Sequence, residues 1–130
     1  ECDYVLFDRY VNSTLFHHGG KLQGEERQKF VGYFYQVAHH DRSYPVPDHV
    51  FYLDAPLELS LERTRSRAKL QNREPDAVEA NIKYISDSHE AGLDLAQKYG
   101  WNVIPLTKDS EALPREKVFE LVTRKLKLVA

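Results

Sequence analysis

Residues 48–67 read DHVFYLDAPLELSLERTRSR, and the α/β character of the chain turns on them. His49 to Leu53 is a run of β-prone, mostly apolar residues closed by an acid, Asp54. A run that is apolar at successive positions, not alternate ones, fits a strand covered on both faces, as in a parallel sheet. Pro56 suits a first helical turn. Leu57 and Leu61, four apart, begin a helix that runs into Arg63, Arg65 and Arg67. This is the strand-to-helix half of a β-α-β unit.

Working outward, Tyr4 to Phe7 (YVLF) reads as another buried strand, stopped by Asp8 and Arg9, and Trp101 to Leu106 as a third. Phe30, Tyr33, Phe34 and Val37 lie at helical spacing and predict an amphipathic helix over Glu25–His40. Asp76 to Tyr99 predicts a long helix with Val78, Ile82, Ile85 and Leu93 on one stripe and Gly100 as its stop. A last helix over Pro114–Leu128 is expected to bury Val118, Leu121, Val122 and Leu126. Between these, Asn12–Lys21 reads as a polar loop ending in Gly19-Gly20. Ser43–Asp48, with Pro45 and Pro47, reads as an extended linker, and Lys69–Pro75 as a mobile loop. The order β, loop, α, β, α, α, β, α predicts one domain, 1–130, with a mostly parallel sheet flanked by helices and right-handed crossovers.

The bulk numbers set bounds on this domain. The chain has 130 residues, 42% of them hydrophobic and 29% charged, an ordinary globular balance. No apolar run approaches the roughly 20 residues of a membrane span. A net charge of −2 gives no electrostatic case for nucleic acid. The one cysteine, Cys2, cannot pair within the chain, which fits a reducing, cytoplasmic setting. There is no methionine, and the chain opens on Glu1-Cys2-Asp3 just before a predicted strand. We therefore expect the later part of a longer protein.

In open parallel sheets, ligands lie beyond the carboxyl ends of the strands. Asp8, Arg9 and Asp54 all sit at such ends. An arginine there presents a planar fork of donors to a phosphate. Asp8 can orient that fork or reach magnesium through water, and Ser13, four residues after Arg9, can add a hydroxyl. By spacing alone, the same pair is equally a structural ion pair capping the sheet. Arg63, Arg65, Arg67 and then Arg73 suit a lid, approximately 63–76, that closes on transferring phosphates; their bland alternative is a solvated basic face. His17-His18 and His39-His40-Asp41 raise a metal site, but adjacent helical residues point apart, so each pair offers at most one ligand. Tyr33, Phe34, Tyr35, Tyr84 and Trp101 read as core aromatics.

The stretches VLFDRYVNST (5–14), DHVFYLDAPLELSLERTRSR (48–67) and NREPDAVEANIKYI (72–85), in that order, resemble the thymidylate kinase family. The resemblance covers almost the whole chain. It implies a P-loop kinase-like α/β fold, transfer of the γ-phosphate of ATP to dTMP with magnesium, and a homodimer. It implies that Arg9 holds the nucleotide monophosphate, that Asp8 lies beside phosphates and metal, and that Ser13 lines the nucleotide pocket. Arg65, Arg67 and Arg73, with Arg63, take the place of lid arginines that act in catalysis. Two departures stand out. Where the family carries a Tyr-Gln pair against thymine and sugar, this chain has His17 and His18. The chain also contains no G-x-x-x-x-G-K-[ST], the loop that cradles ATP. We therefore expect an acceptor site and a lid without a donor site, and no kinase activity from the 130 residues alone. In the family fold the phosphate-loop strand lies between the strand ending in Asp-Arg and the next one, so a gap is expected between Tyr4–Phe7 and His49–Leu53. Direct pairing of those two strands would count against the resemblance. The alternatives are a P-loop kinase for another nucleotide or deoxynucleoside, a non-catalytic nucleotide-binding module, and, third, a metal-dependent phosphohydrolase.

Overall fold

The computed structural model describes residues 4–77 and 81–127. The chain is a helix-rich α/β structure with a small parallel sheet. Its elements are α1 (Asn12–Gly19), α2 (Gly24–Tyr35), a π-helical stretch Gln36–Asp41, β1 (Phe51–Asp54), α3 (Leu57–Leu70), α4 (Ile82–Tyr99), β2 (Asn102–Pro105), β3 (Thr107–Lys108), β4 (Glu111–Ala112) and α5 (Arg115–Lys125).

β1 and β2 pair in parallel, with Phe51 opposite Asn102 and Asp54 opposite Pro105. The ladder continues at both ends, where Asn102 N–H donates to Val50 O (2.8 Å) and Leu106 N–H to Asp54 O (2.9 Å). Pro105 has no N–H to give, so the bond from Leu106 closes the pairing beyond it. β3 and β4 form an antiparallel hairpin around Asp109 (φ 52°) and Ser110 (φ 69°). Two successive left-handed residues make the tight turn that matches strand twist.

The core is built where α1, α2 and α4 meet. Leu15, Val31 and Leu95 are buried at its centre, with Phe16, Phe30, Phe34, Tyr35 and Trp101 packed around them. Two glycines permit close approach. A Cβ on Gly20 would lie 3.0 Å from the Ser88 backbone of α4 and 2.9 Å from Phe16 O. A Cβ on Gly92 would lie 2.5 Å from Cε2 and Cζ of Tyr52, so β1's tyrosine rests directly on the α4 backbone. Arg27 ties α1 to α4. Its Nε donates to Gly19 O and Leu22 O (3.0 Å each), and its Nη1 to Asp94 Oδ2 (2.8 Å).

Several expectations are corrected. Tyr4–Phe7 is not a buried strand; the four residues are extended, unpaired and 60–86% exposed. A strand needs a neighbour for its N–H and C=O groups, and β1 gives its paired edge to β2. Among the described residues Tyr4–Phe7 does not pair with residues 49–53. Asn12–Lys21 is not a loop. It contains α1, because Leu15 and Phe16 find a core to enter and the paired glycines fit against α4.

In α2 the buried residue is Val31, and Tyr33 is 69% exposed, not core. The α-helix gives way at Gln36 to a π-turn, which shifts the face presented by Val37 to His40. α4 starts at Ile82, not Asp76, because Asn81 Oδ1 accepts from Tyr84 N–H (3.0 Å) and caps it. Gly100 ends it in the left-handed conformation, as the sequence indicates. α3 runs on through Lys69 and Leu70, which were expected in a loop. In α5, Val118, Leu121, Val122 and Leu126 are only half-buried and Thr123 is the buried residue. Cys2, Val78 and Leu128 lie outside the described residues.

Candidate functional site

The chain bends at Asp8 and Arg9 before entering α1. Arg9 has φ 68°, in the left-handed region that costs a non-glycine residue about 1 kcal/mol or more. That conformation accompanies a specific contact, from Arg9 Nη1 to His17 Nε2 at 2.9 Å, across two turns of α1. A guanidinium only donates, so His17 Nε2 accepts and the ring's proton lies on Nδ1. Nδ1 is 3.2 Å from the Tyr84 hydroxyl and donates to it. The two rings lie nearly parallel, with centroids 6.1 Å apart. Lys21 Nζ stands 5.6 Å from the centroid of the Tyr84 ring. The partly buried imidazole is held below the ordinary histidine range by burial first, then by the charges of Arg9 and His18. The alternative Asp8–Arg9 ion pair is not among the contacts of the described residues; Arg9 turns to His17 instead.

A second pair forms at the end of β1. Asp54 Oδ1 accepts from His89 Nε2 at 2.6 Å, and Tyr52 hydroxyl donates to His89 O at 3.3 Å. Burial, then the Asp54 charge, pushes the Tyr52 phenol up to about 12. Phe16 meets Tyr52 edge-on at 5.7 Å and His17 at 4.5 Å. Phe16 thus stands between the two polar pairs. The sequence marks Asp54 as a strand-end acid. Nothing in it marks His89, one histidine on a long helix, or Tyr84, which looks like a core aromatic.

The other expected site residues are more dispersed. Asp8 is exposed at the bend. Ser13 is half-buried in the first turn of α1, its N–H on Tyr10 O (3.0 Å). His18 is exposed, 6.4 Å from the Phe30 ring centre. Arg63, Arg65 and Arg67 are exposed along α3, and no hydrogen bond or ion pair among the described residues joins Arg65 or Arg67 to Arg9. Arg73, beyond the helix, donates from Nε to Gln71 Oε1 (2.7 Å) and from Nη1 to Glu74 O (3.0 Å). Among the described residues no three His, Cys, Asp or Glu side chains converge as a metal site would need. With no phosphate loop in the sequence either, the residues present do not fit a magnesium–ATP site.

An exposed arginine at a bend before a helix is compatible with several kinds of protein. No family model matches the chain. Over 126 residues it is 25% identical to a "Probable thymidylate kinase 1" of Saccharolobus solfataricus, covering 97% of this chain and 58% of that protein. Over 63 residues it is 36% identical to a "Putative thymidylate kinase" of Treponema pallidum, covering 48% of this chain and 26% of that protein. The chain is thymidylate kinase-like. It spans little more than half the length of the first relative and about a quarter of the second. No described helix is long and apolar enough to cross a membrane.

Proposed function

We propose that this chain supplies the acceptor-phosphate side of a nucleoside monophosphate kinase that transfers the γ-phosphoryl group of ATP to dTMP, giving dTDP, in the cytoplasm. The observation that carries the proposal is Arg9. In a thymidylate kinase-like chain, its guanidinium is turned by a left-handed backbone and fixed through one nitrogen on His17. The remaining donors are left to fork a phosphate monoester.

Phosphoryl transfer asks the protein chiefly for position and charge neutralisation. Arg9 holds the acceptor phosphate in line, Asp8 orients it, and Ser13 contributes at the nucleotide pocket. Of the two histidines at the place of the family's Tyr-Gln pair, exposed His18 is the one left to meet base or sugar, because both ring nitrogens of His17 are taken by Arg9 and Tyr84. Arg65, Arg67 and Arg73 neutralise the transferring phosphoryl when residues 63–76 close over it. Asp8 would meet a magnesium ion arriving with ATP only through water. The donor phosphates need a loop that this sequence does not contain, so the 130 residues alone should make no dTDP.

The test is Arg9→Ala in the full-length protein. Loss of one charge-stabilising group lowers turnover about 10²–10³-fold, and an exposed side chain leaves the melting temperature unchanged. A fall in melting temperature with turnover preserved would return Arg9 to a structural role. A second reading, another nucleotide or deoxynucleoside as acceptor, draws on His17-His18 in place of Tyr-Gln. A substrate panel separates the two.

A further inference from the structure

We infer that His17 is a positioning residue for Arg9: its neutral imidazole accepts the Arg9 guanidinium and aims it at a phosphate monoester, and protonation of Nε2 releases it. This inference rests on the acceptor-phosphate reading of Arg9 and adds a proton-controlled element to it.

The geometry gives the logic. Arg9 carries only donors, so the 2.9 Å contact to Nε2 exists only while that nitrogen keeps its lone pair. The other ring nitrogen is already committed at 3.2 Å to the Tyr84 hydroxyl on α4, so the ring cannot flip to offer its second face without losing that partner. A second proton on His17 sets two donors and two positive charges against each other. Arg9 is exposed, so it yields by swinging out.

The groups around His17 reinforce this. Arg9 comes from the bend before α1, His18 from α1 itself, and the neutral Tyr84 from α4, with the Lys21 ammonium behind the phenol ring. The α2 cation nearest this helix, Arg27, is spent on Gly19 O, Leu22 O and Asp94. No carboxylate faces the imidazole among its described partners, and burial with the neighbouring cations favours the neutral ring.

The experiment uses the full-length protein without ATP, with thymidine 5′-monophosphate as the probe. Side-chain NMR follows the His17 titration in wild type and Arg9→Ala without ligand. Calorimetry measures dTMP affinity at pH 7.5 and 5.5 for wild type, His17→Ala and His17→Gln. Removing Arg9 should move the His17 titration upward. His17→Ala should weaken binding about tenfold at pH 7.5, the scale of one charge-assisted hydrogen bond. His17→Gln keeps an acceptor at the same reach and should recover part of that loss. Wild type should also lose more affinity than His17→Gln on going to pH 5.5, by less than about tenfold because the folded His17 value lies below 6.5, the ligand's own ionisation being common to both. A His17 titration unmoved by Arg9→Ala, or identical pH profiles for wild type and His17→Gln, would overturn the inference. If wild type binds no dTMP at either pH, the nucleotide reading fails. The ligand-free titration then still upholds or overturns the Arg9–His17 coupling.

Discussion

Gly92→Ala is the sharpest test of how β1 is seated on α4. Two opposed terms are in play. In an ordinary helix interior, alanine is better than glycine by about 1 kcal/mol. At Gly92 the added methyl would lie 2.5 Å from two ring carbons of Tyr52 and in contact with its hydroxyl. The ring cannot simply rotate away, because Phe16 packs edge-on against it and its hydroxyl is bonded to His89 O. Overpacking of this kind costs about 1–3 kcal/mol, and losing the hydroxyl's bond adds about 1 kcal/mol. Against the intrinsic gain, the net expectation is a loss of about 1–3 kcal/mol, or roughly 3–12 °C in melting temperature for a chain of 130 residues. Thermal and urea unfolding measure it. Gly32→Ala is the internal control. It lies in α2 with nothing within 4 Å of a would-be Cβ, and should gain about 0.5–1 kcal/mol. Tyr52→Leu, which removes the ring carbons, should make Gly92→Ala far less costly in the double variant, a coupling of about 1 kcal/mol or more. If Gly92→Ala stabilises the protein as much as Gly32→Ala does, the close seating of Tyr52 on α4 is wrong.

Three further outcomes can be checked. Arg27→Ala strands the Gly19 and Leu22 carbonyls and should cost about 2 kcal/mol, whereas Asp94→Asn, at a 61% exposed partner, should cost under about 0.5 kcal/mol in chemical denaturation. The Tyr52 phenol, raised from 10 to about 12, should be the late component of an alkaline ultraviolet titration. Its contribution to stability is complete below pH 10 and lost as the pH rises toward 12, and Tyr52→Phe should remove that loss. His17 runs the other way. Its folded value lies below 6.5, so the unfolded chain binds the proton more readily and stability falls as the pH drops from 6.5 through the folded value. His17→Gln should flatten that part of the acid limb.

The elements whose local signals agree with one another were legible in the sequence. β1 and β2 are continuous apolar runs, Pro56 opens α3, and Gly100 closes α4 in a conformation that favours glycine. Failures came where a segment's fate depends on what lies beside it. Tyr4–Phe7 has the composition of a strand but no partner to pair with, while Asn12–Gly19 has the composition of a loop but a core to enter. The candidate site divides in the same way. Arg9, Asp54 and His17 were visible as residues of the right type near strand or helix ends. That Arg9 bonds to His17, that Tyr84 takes the other nitrogen, and that His89 binds Asp54 involve partners 8, 67 and 35 residues apart, which no local pattern encodes.

The sequence by itself determined the class of the chain, its likeness to thymidylate kinases and the residues able to meet a phosphate. It did so because propensity, capping and motif spacing are local properties. The tertiary structure decided which of those residues work together. Packing α1 against α4 puts His17 on Tyr84, and the left-handed turn at Arg9 brings its guanidinium back to the same imidazole. An arginine that spacing left between clamp and ion pair becomes one whose aim depends on a single histidine proton.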